Sequence, residues 1–156
     1  MEEQLAELQQ QRQQARALAA LCGKSFAQLR GATELVLGAA LGKPLTLAHW
    51  RTLGTLARCG SLPMLQRLDI LNDNNGDEGV ALLADGLRRG RLPSLQGLWL
   101  TSAQIGPQGA TALAPALTKR ALPSLHYIDY IELYNNPLGD AGLAALLPAL
   151  RRLPPL

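Results

Sequence analysis

The chain has 156 residues, 47% of them hydrophobic, and a formal net charge of +3. That length supports one domain with a sizeable core, and the charge is too small to imply nucleic-acid binding unless it gathers on one face. Leu and Ala dominate the apolar residues and aromatics make up only 4%, so strands must be short and most of the chain helical.

The first segment, EEQLAELQQQRQQARALAAL (2–21), consists of good helix formers. Arg12 interrupts the apolar series begun by Leu5 and Leu8, which disfavours a coiled-coil seam. A solvated helix, or a cap over the first structural unit, is expected. The opening MEEQLAELQQ is acidic and Gln-rich, unlike a secretory signal. No apolar run approaches the roughly 20 residues of a bilayer span. Cys22 and Cys59 have neither CxxC spacing nor a nearby histidine pair, a usage that fits reduced thiols and a cytoplasmic location. The tetrapeptide CGKS (22–25) matches the end of a phosphate-binding loop, but Leu18 stands where its first glycine belongs, so a break between two helical segments is the better account.

Further along, ELVL (34–37) is a candidate strand, and HWRTLGTLARCG (49–60) is a helix that places Leu53 one and two periods before Leu83 and Leu113. From there the chain repeats itself. LPML (62–65), LPSL (92–95), LPSL (122–125) and LPPL (153–156) recur at separations of 30, 30 and 31 residues. Beneath one another, LPMLQRLDILNDNNGDEG (62–79) and LPSLQGLWLTSAQIGPQG (92–109) share their leucine and glycine columns. LPSLHYIDYIELYNNPLGDAG (122–142) joins them once Ile128, Asp129 and Tyr130 are set aside. Each glycine pair precedes a Leu/Ala-rich stretch: VALLADGLRR (80–89), ATALAPALTK (110–119) and LAALLPALRR (143–152). The unit is a short apolar-alternating strand, a turn, and an amphipathic helix.

This pattern resembles the leucine-rich repeat, LxxLxLxxNxL, and its 30-residue period with a GDxG-like step resembles the ribonuclease-inhibitor-like class. The resemblance implies an α/β solenoid, with parallel strands on a concave face and helices on a convex one. A helical segment (1–31) would precede a repeat domain (32–156). That domain would hold a degenerate unit at 32–61, units at 62–91, 92–121 and 122–152, and the start of another at 153–156. Leu65, Leu68, Ile70, Leu95, Leu98, Leu100, Leu125, Ile131 and Leu133 should point inward, facing Leu83, Leu87, Leu113, Leu117, Leu146 and Leu150 from the helices. In the family, the consensus Asn bonds the backbone of the bend. Only Asn136 retains it, with Asp73 and Ala103 in the matching columns, which implies an imperfect ladder of turns.

The stretch NDNNGDEG (72–79) has the oxygen content of a calcium loop, but with Gly76 at position 6, position 1 is Leu71 and position 12 is Leu82, neither of which can ligate. No metal or other cofactor is expected. The same glycines recur as Gly106/Gly109 and Gly139/Gly142, so the stretch is a turn into a helix, with Asp77 and Glu78 near its N-terminal dipole. His49 and His126, the only histidines, fall in different columns, and Cys59 lies ten residues along the helix beyond His49, too far for a dyad. Basic residues cluster at Arg88, Arg89 and Arg91, at Lys119 and Arg120, and at Arg151 and Arg152. Each cluster ends a helix, where cations complement the dipole and the free carbonyls.

Strand alternation then selects a surface row. Arg67, Asp69 and Leu71 should stand beside Gly97, Trp99 and Thr101, and these beside Glu132 and Tyr134, with Tyr127 or Tyr130 displaced by the insertion. An exposed Trp flanked by carboxylates and tyrosines has the composition of a protein-binding hot spot. The expected function is a non-enzymatic protein-interaction module, without nucleic-acid or membrane partners. A GTPase-activating or other regulatory or scaffold role is the alternative. So is a fragment of a larger receptor-like array, since the sequence stops at LPPL, where another strand would begin, without a polar cap.

Overall fold

A computed structural model describes residues 1–90, 92–118, 120–125 and 131–153. Arg91, Lys119, His126, Tyr127, Ile128, Asp129, Tyr130 and residues 154–156, where a further repeat was expected to start, lie outside the described residues, so expectations placed on them are not taken further. The elements are α1 (Glu2–Leu21), α2 (Phe26–Arg30), β1 (Glu34–Leu37), α3 (Leu47–Arg58), β2 (Arg67–Leu71), α4 (Gly76–Arg89), β3 (Gly97–Thr101), α5 (Pro107–Leu113), β4 (Ile131–Glu132) and α6 (Gly139–Leu150). The protein is mixed α/β, built on a four-stranded parallel sheet in the order β1-β2-β3-β4.

Strand order follows chain order because each connection is a helix that returns the chain to the next position in the sheet. The helices pack in the same sequence, α3 on α4, α4 on α5 and α5 on α6. Leucines seal the space between the two layers. Leu35, Leu68 and Leu98 are in lateral register and buried, as are Leu37, Ile70 and Leu100 one step along. Leu53, Leu83, Leu87, Leu113, Leu117 and Leu146 meet them from the helices or the segments that follow, all buried. Each such side chain contributes about 1.5 to 3 kcal/mol by leaving water. Ile131 and Leu133, expected to be fully inside, are only partly buried, and so is Leu150. They sit on the last described strand and helix, with described neighbours on one side.

Small residues let the helices approach. A Cβ at Gly86 of α4 would collide with the Gly54 backbone of α3, and one at Gly54 would strike the Leu82 carbonyl. The helices also begin earlier than the Leu/Ala-rich stretches suggest, at Gly76, Pro107 and Gly139. Helix α5 stops at Leu113 and tightens into a 3₁₀ turn at Ala114–Ala116, because Pro115 has no N–H to continue the ladder.

At the N-terminus, α1 packs on α3 through its C-terminal half, where Ala15, Leu18 and Ala19 are buried. Its residues 2–10 are exposed. Among the described residues, no helix is long and apolar enough to cross a membrane.

The candidate interaction face

In each strand, residues that alternate with the buried leucines project from the opposite face of the sheet. Register then aligns them across strands: Glu34, Arg67 and Gly97 form one row, and Val36, Asp69, Trp99 and Glu132 the next. Leu71 and Thr101 pair one step further along. The expected pairings Arg67 with Gly97, Asp69 with Trp99, Leu71 with Thr101, and Trp99 with Glu132 are all present.

Exposure departs from expectation at two places. Asp69, placed by alternation in the surface row beside Trp99, is only 3% exposed. The Arg67 guanidinium folds over it and donates from Nε to Oδ1 at 2.8 Å and from Nη2 to Oδ2 at 2.6 Å. A carboxylate placed two residues from an arginine on the same face is within reach of its fork, and the bidentate pair takes both oxygens from solvent. Trp99 is half-buried rather than freely exposed. Its indole lies flat across Gly97, where any Cβ would collide with the ring, and Arg67 stacks on it with the guanidinium carbon 4.5 Å from the ring centroid. The absent side chain at position 97 is what lets the indole lie down.

Arg67 is therefore the centre of the face. It touches Asp69, stacks on Trp99 and approaches Glu34 Oε1 at 3.5 Å, with about half of its side chain still exposed. Hydrogen bonding to Asp69 first, then the charges of Asp69, Glu34 and Glu132, raise the guanidinium pKa further above its already high value. At the far side, Thr101 donates to Glu132 Oε1 at 3.2 Å. Tyr134 is 72% exposed, and Leu71 is half-buried.

Glu34 and Val36 extend the face by one strand and were not among the expected residues. The signal was present in ELVL, whose alternation continues the same rows once β1 is paired in register with β2.

The remaining sequence candidates have structural occupations. Ser25 of the CGKS stretch is the N-cap of α2, accepting from the Gln28 N–H at 3.2 Å while Gln28 Oε1 accepts from the Ser25 N–H at 2.7 Å. His49 caps α3 with Thr46, and Cys59 is exposed at the opposite end of that helix. Asp73 accepts from Trp50 Nε1 at 3.0 Å, and Asp77 from the Gly106 N–H at 2.6 Å, so the acidic turn bonds the protein itself. Arg88 and Arg89 lie in the last turn of α4, where both contact Asp85, at 3.2 and 3.0 Å.

No protein-family model matches the chain, and no curated protein is significantly similar to it.

Proposed function

We propose that this chain is a leucine-rich-repeat solenoid of the ribonuclease-inhibitor-like kind, acting as a non-enzymatic module that binds another protein through its strand face. The observation that carries this reading is the Arg67–Trp99 stack at the centre of the face, with Glu34 and Glu132 nearby. Stacked Arg and Trp are the side chains most often found at the energetic centre of protein interfaces. Here they are already held in place by Asp69 and Gly97, so little conformational entropy remains to be lost on binding. Across the rows, Glu34, Asp69 and Glu132 outnumber Arg67, and the partner surface should carry compensating cations.

The test immobilises the chain, recovers proteins from lysate, and repeats the capture with Trp99→Ala, Tyr134→Ala and, on the helical side, Glu78→Ala. Loss of a hot-spot aromatic should weaken retention by about thirtyfold, equivalent to ~2 kcal/mol, and Glu78→Ala should change nothing. Equal retention by folded Trp99→Ala and Tyr134→Ala would remove the strand face from the interaction.

A further inference from the structure

We propose that the open edge of β1 is a second binding site, which accepts an extended acidic peptide as an added strand. This site is the edge of the sheet rather than its face, and it does not depend on the face binding anything.

Among the described residues, strand β1 pairs with β2 on one side only. Successive residues of a strand turn their peptide groups to opposite edges. The Thr33 carbonyl faces β2, accepting the N–H groups of Gln66 at 2.7 Å and Arg67 at 3.0 Å. Leu35 and Leu37 therefore face β2 as well, and Glu34, Val36 and Gly38 face outward. Gly38 shows this directly. Its N–H donates to the Lys43 carbonyl and its carbonyl accepts from the Lys43 N–H, both at 3.1 Å, in an antiparallel bridge. Lys43 thus begins a strand along the outer edge that goes no further, because the Leu45 carbonyl turns to Asn75 Nδ2 instead, at 2.7 Å. The peptide groups of Glu34 and Val36 remain turned outward into a cleft of about 730 Å³, whose lining includes Cys22, Lys24, Gln28 and Lys43.

The chemistry of the cleft selects the occupant. Lys24 and Lys43 make no ion pair among the described residues. Both act on the Cys22 thiol: burial pushes its pKa up, and the two ammonium groups pull it partly back. Glu34, the carboxylate among the lining residues, is within 3.5 Å of Arg67. An incoming strand can pair with the free N–H and C=O groups of Glu34 and Val36, as in other cases of strand addition. Its Asp or Glu side chains would meet the two lysines. A second copy of this chain fits less well, because edge-to-edge pairing would bring four lysines together.

The test titrates the full chain with an end-blocked hexapeptide of alternating Asp and Val, and with its Lys/Val counterpart. At ten times its Kd, the acidic peptide should slow amide exchange at Glu34 and Val36 about tenfold. It should also slow maleimide alkylation of Cys22 and leave that of exposed Cys59 unchanged. The doubly reversed variant Lys24→Glu/Lys43→Glu, checked for an unchanged melting profile, should lose both effects; if it fails to fold, Lys43→Gln should weaken binding severalfold. The proposal is overturned if saturating acidic peptide leaves Glu34 and Val36 exchange unaltered. Equal protection by the lysine peptide, or protection that appears with chain concentration alone, would overturn it too.

Discussion

The turns after β2 and β4 occupy the same column of the chain and are held by different chemistry. After β4, Asn135 Nδ2 donates to Ser102 Oγ at 2.9 Å, and Asn136 makes most of the side-chain bonds. Its Oδ1 accepts the N–H groups of Ala103 and Ile105, both at 3.0 Å, and its Nδ2 donates to the carbonyls of Leu100, at 2.6 Å, and Leu133, at 3.0 Å. An amide can do this because it carries donors and acceptors together. After β2 the column holds Asp73, which can only accept when ionised. Its Oδ2 accepts from Trp50 Nε1 at 3.0 Å, and from the N–H and side-chain amide of Asn75 at 3.0 and 2.8 Å. Asn75 then supplies the donor that Asp73 lacks, reaching the Leu45 carbonyl at 2.7 Å. Two side chains and a buried indole replace one amide. Between them, the turn with Ala103 has no polar group in this column and is held from both sides, by Asn136 and by Asp77. The ladder of consensus amides is imperfect, as the sequence implies, and other side chains bond the turns where the amide is missing.

That contrast can be broken one turn at a time. Asn136→Ala should cost most, about 3 kcal/mol in urea denaturation, because it leaves the N–H groups of Ala103 and Ile105 unpaired within buried residues. Asn136→Asp sharpens the comparison. Without counterparts of Trp50 and Asn75, the carboxylate should recover little of that loss, and recovery to wild-type stability would refute the division of labour. Asp73→Ala should cost about 2 kcal/mol, chiefly by stranding the indole N–H of fully buried Trp50. Asp77→Ala should cost less, about 1.5 kcal/mol, for one charge-assisted bond to the Gly106 N–H. An order of effects other than Asn136, Asp73, Asp77 would mean that the turns are not graded by the bonds seen in them.

These turns also mark the boundary of what sequence can reveal. The 30-residue period carries register directly, so the pairing of Leu68 with Leu98, and of Leu98 with Ile131 once three residues are set aside, follows from counting columns. Alternation likewise gives the face on which Arg67, Asp69, Trp99 and Glu132 project. It does not give what lies on top of a side chain once it projects. The burial of Asp69 depends on a rotamer of Arg67, and the flat indole of Trp99 on the missing side chain at Gly97. Contacts between different columns are also invisible to a repeat alignment. Trp50 bonds Asp73 across 23 residues that include a helix and a strand, and the serines of the two LPSL steps donate to the Pro63 and Pro93 carbonyls of the preceding steps. Only the second of these recurs with the period, and it is absent where Met64 replaces serine.

The smallest expected effect concerns the start of the helix that aims Trp50 at Asp73. Thr46 and His49 form a reciprocal cap on α3, in which the Thr46 N–H donates to His49 Nδ1 at 3.1 Å. This bond requires an unprotonated Nδ1, and partial burial lowers the pKa of His49 below its usual 6.5. Between the folded value and 6.5 the unfolded chain binds more protons than the folded one, so stability rises with pH across that window. The contribution is present in full above about pH 6.5 and is lost as pH falls through the folded value. Carboxylates titrate over part of the same range, so the informative quantity is the difference between wild type and His49→Gln, in which a neutral amide can take the same acceptor role. That difference should be small at pH 7.5 and favour the variant by about 0.5 to 1 kcal/mol at pH 5, the worth of a helix cap. Superimposable pH profiles for the two proteins would show that the cap is not pH-sensitive, and that Trp50 is held toward Asp73 by packing alone.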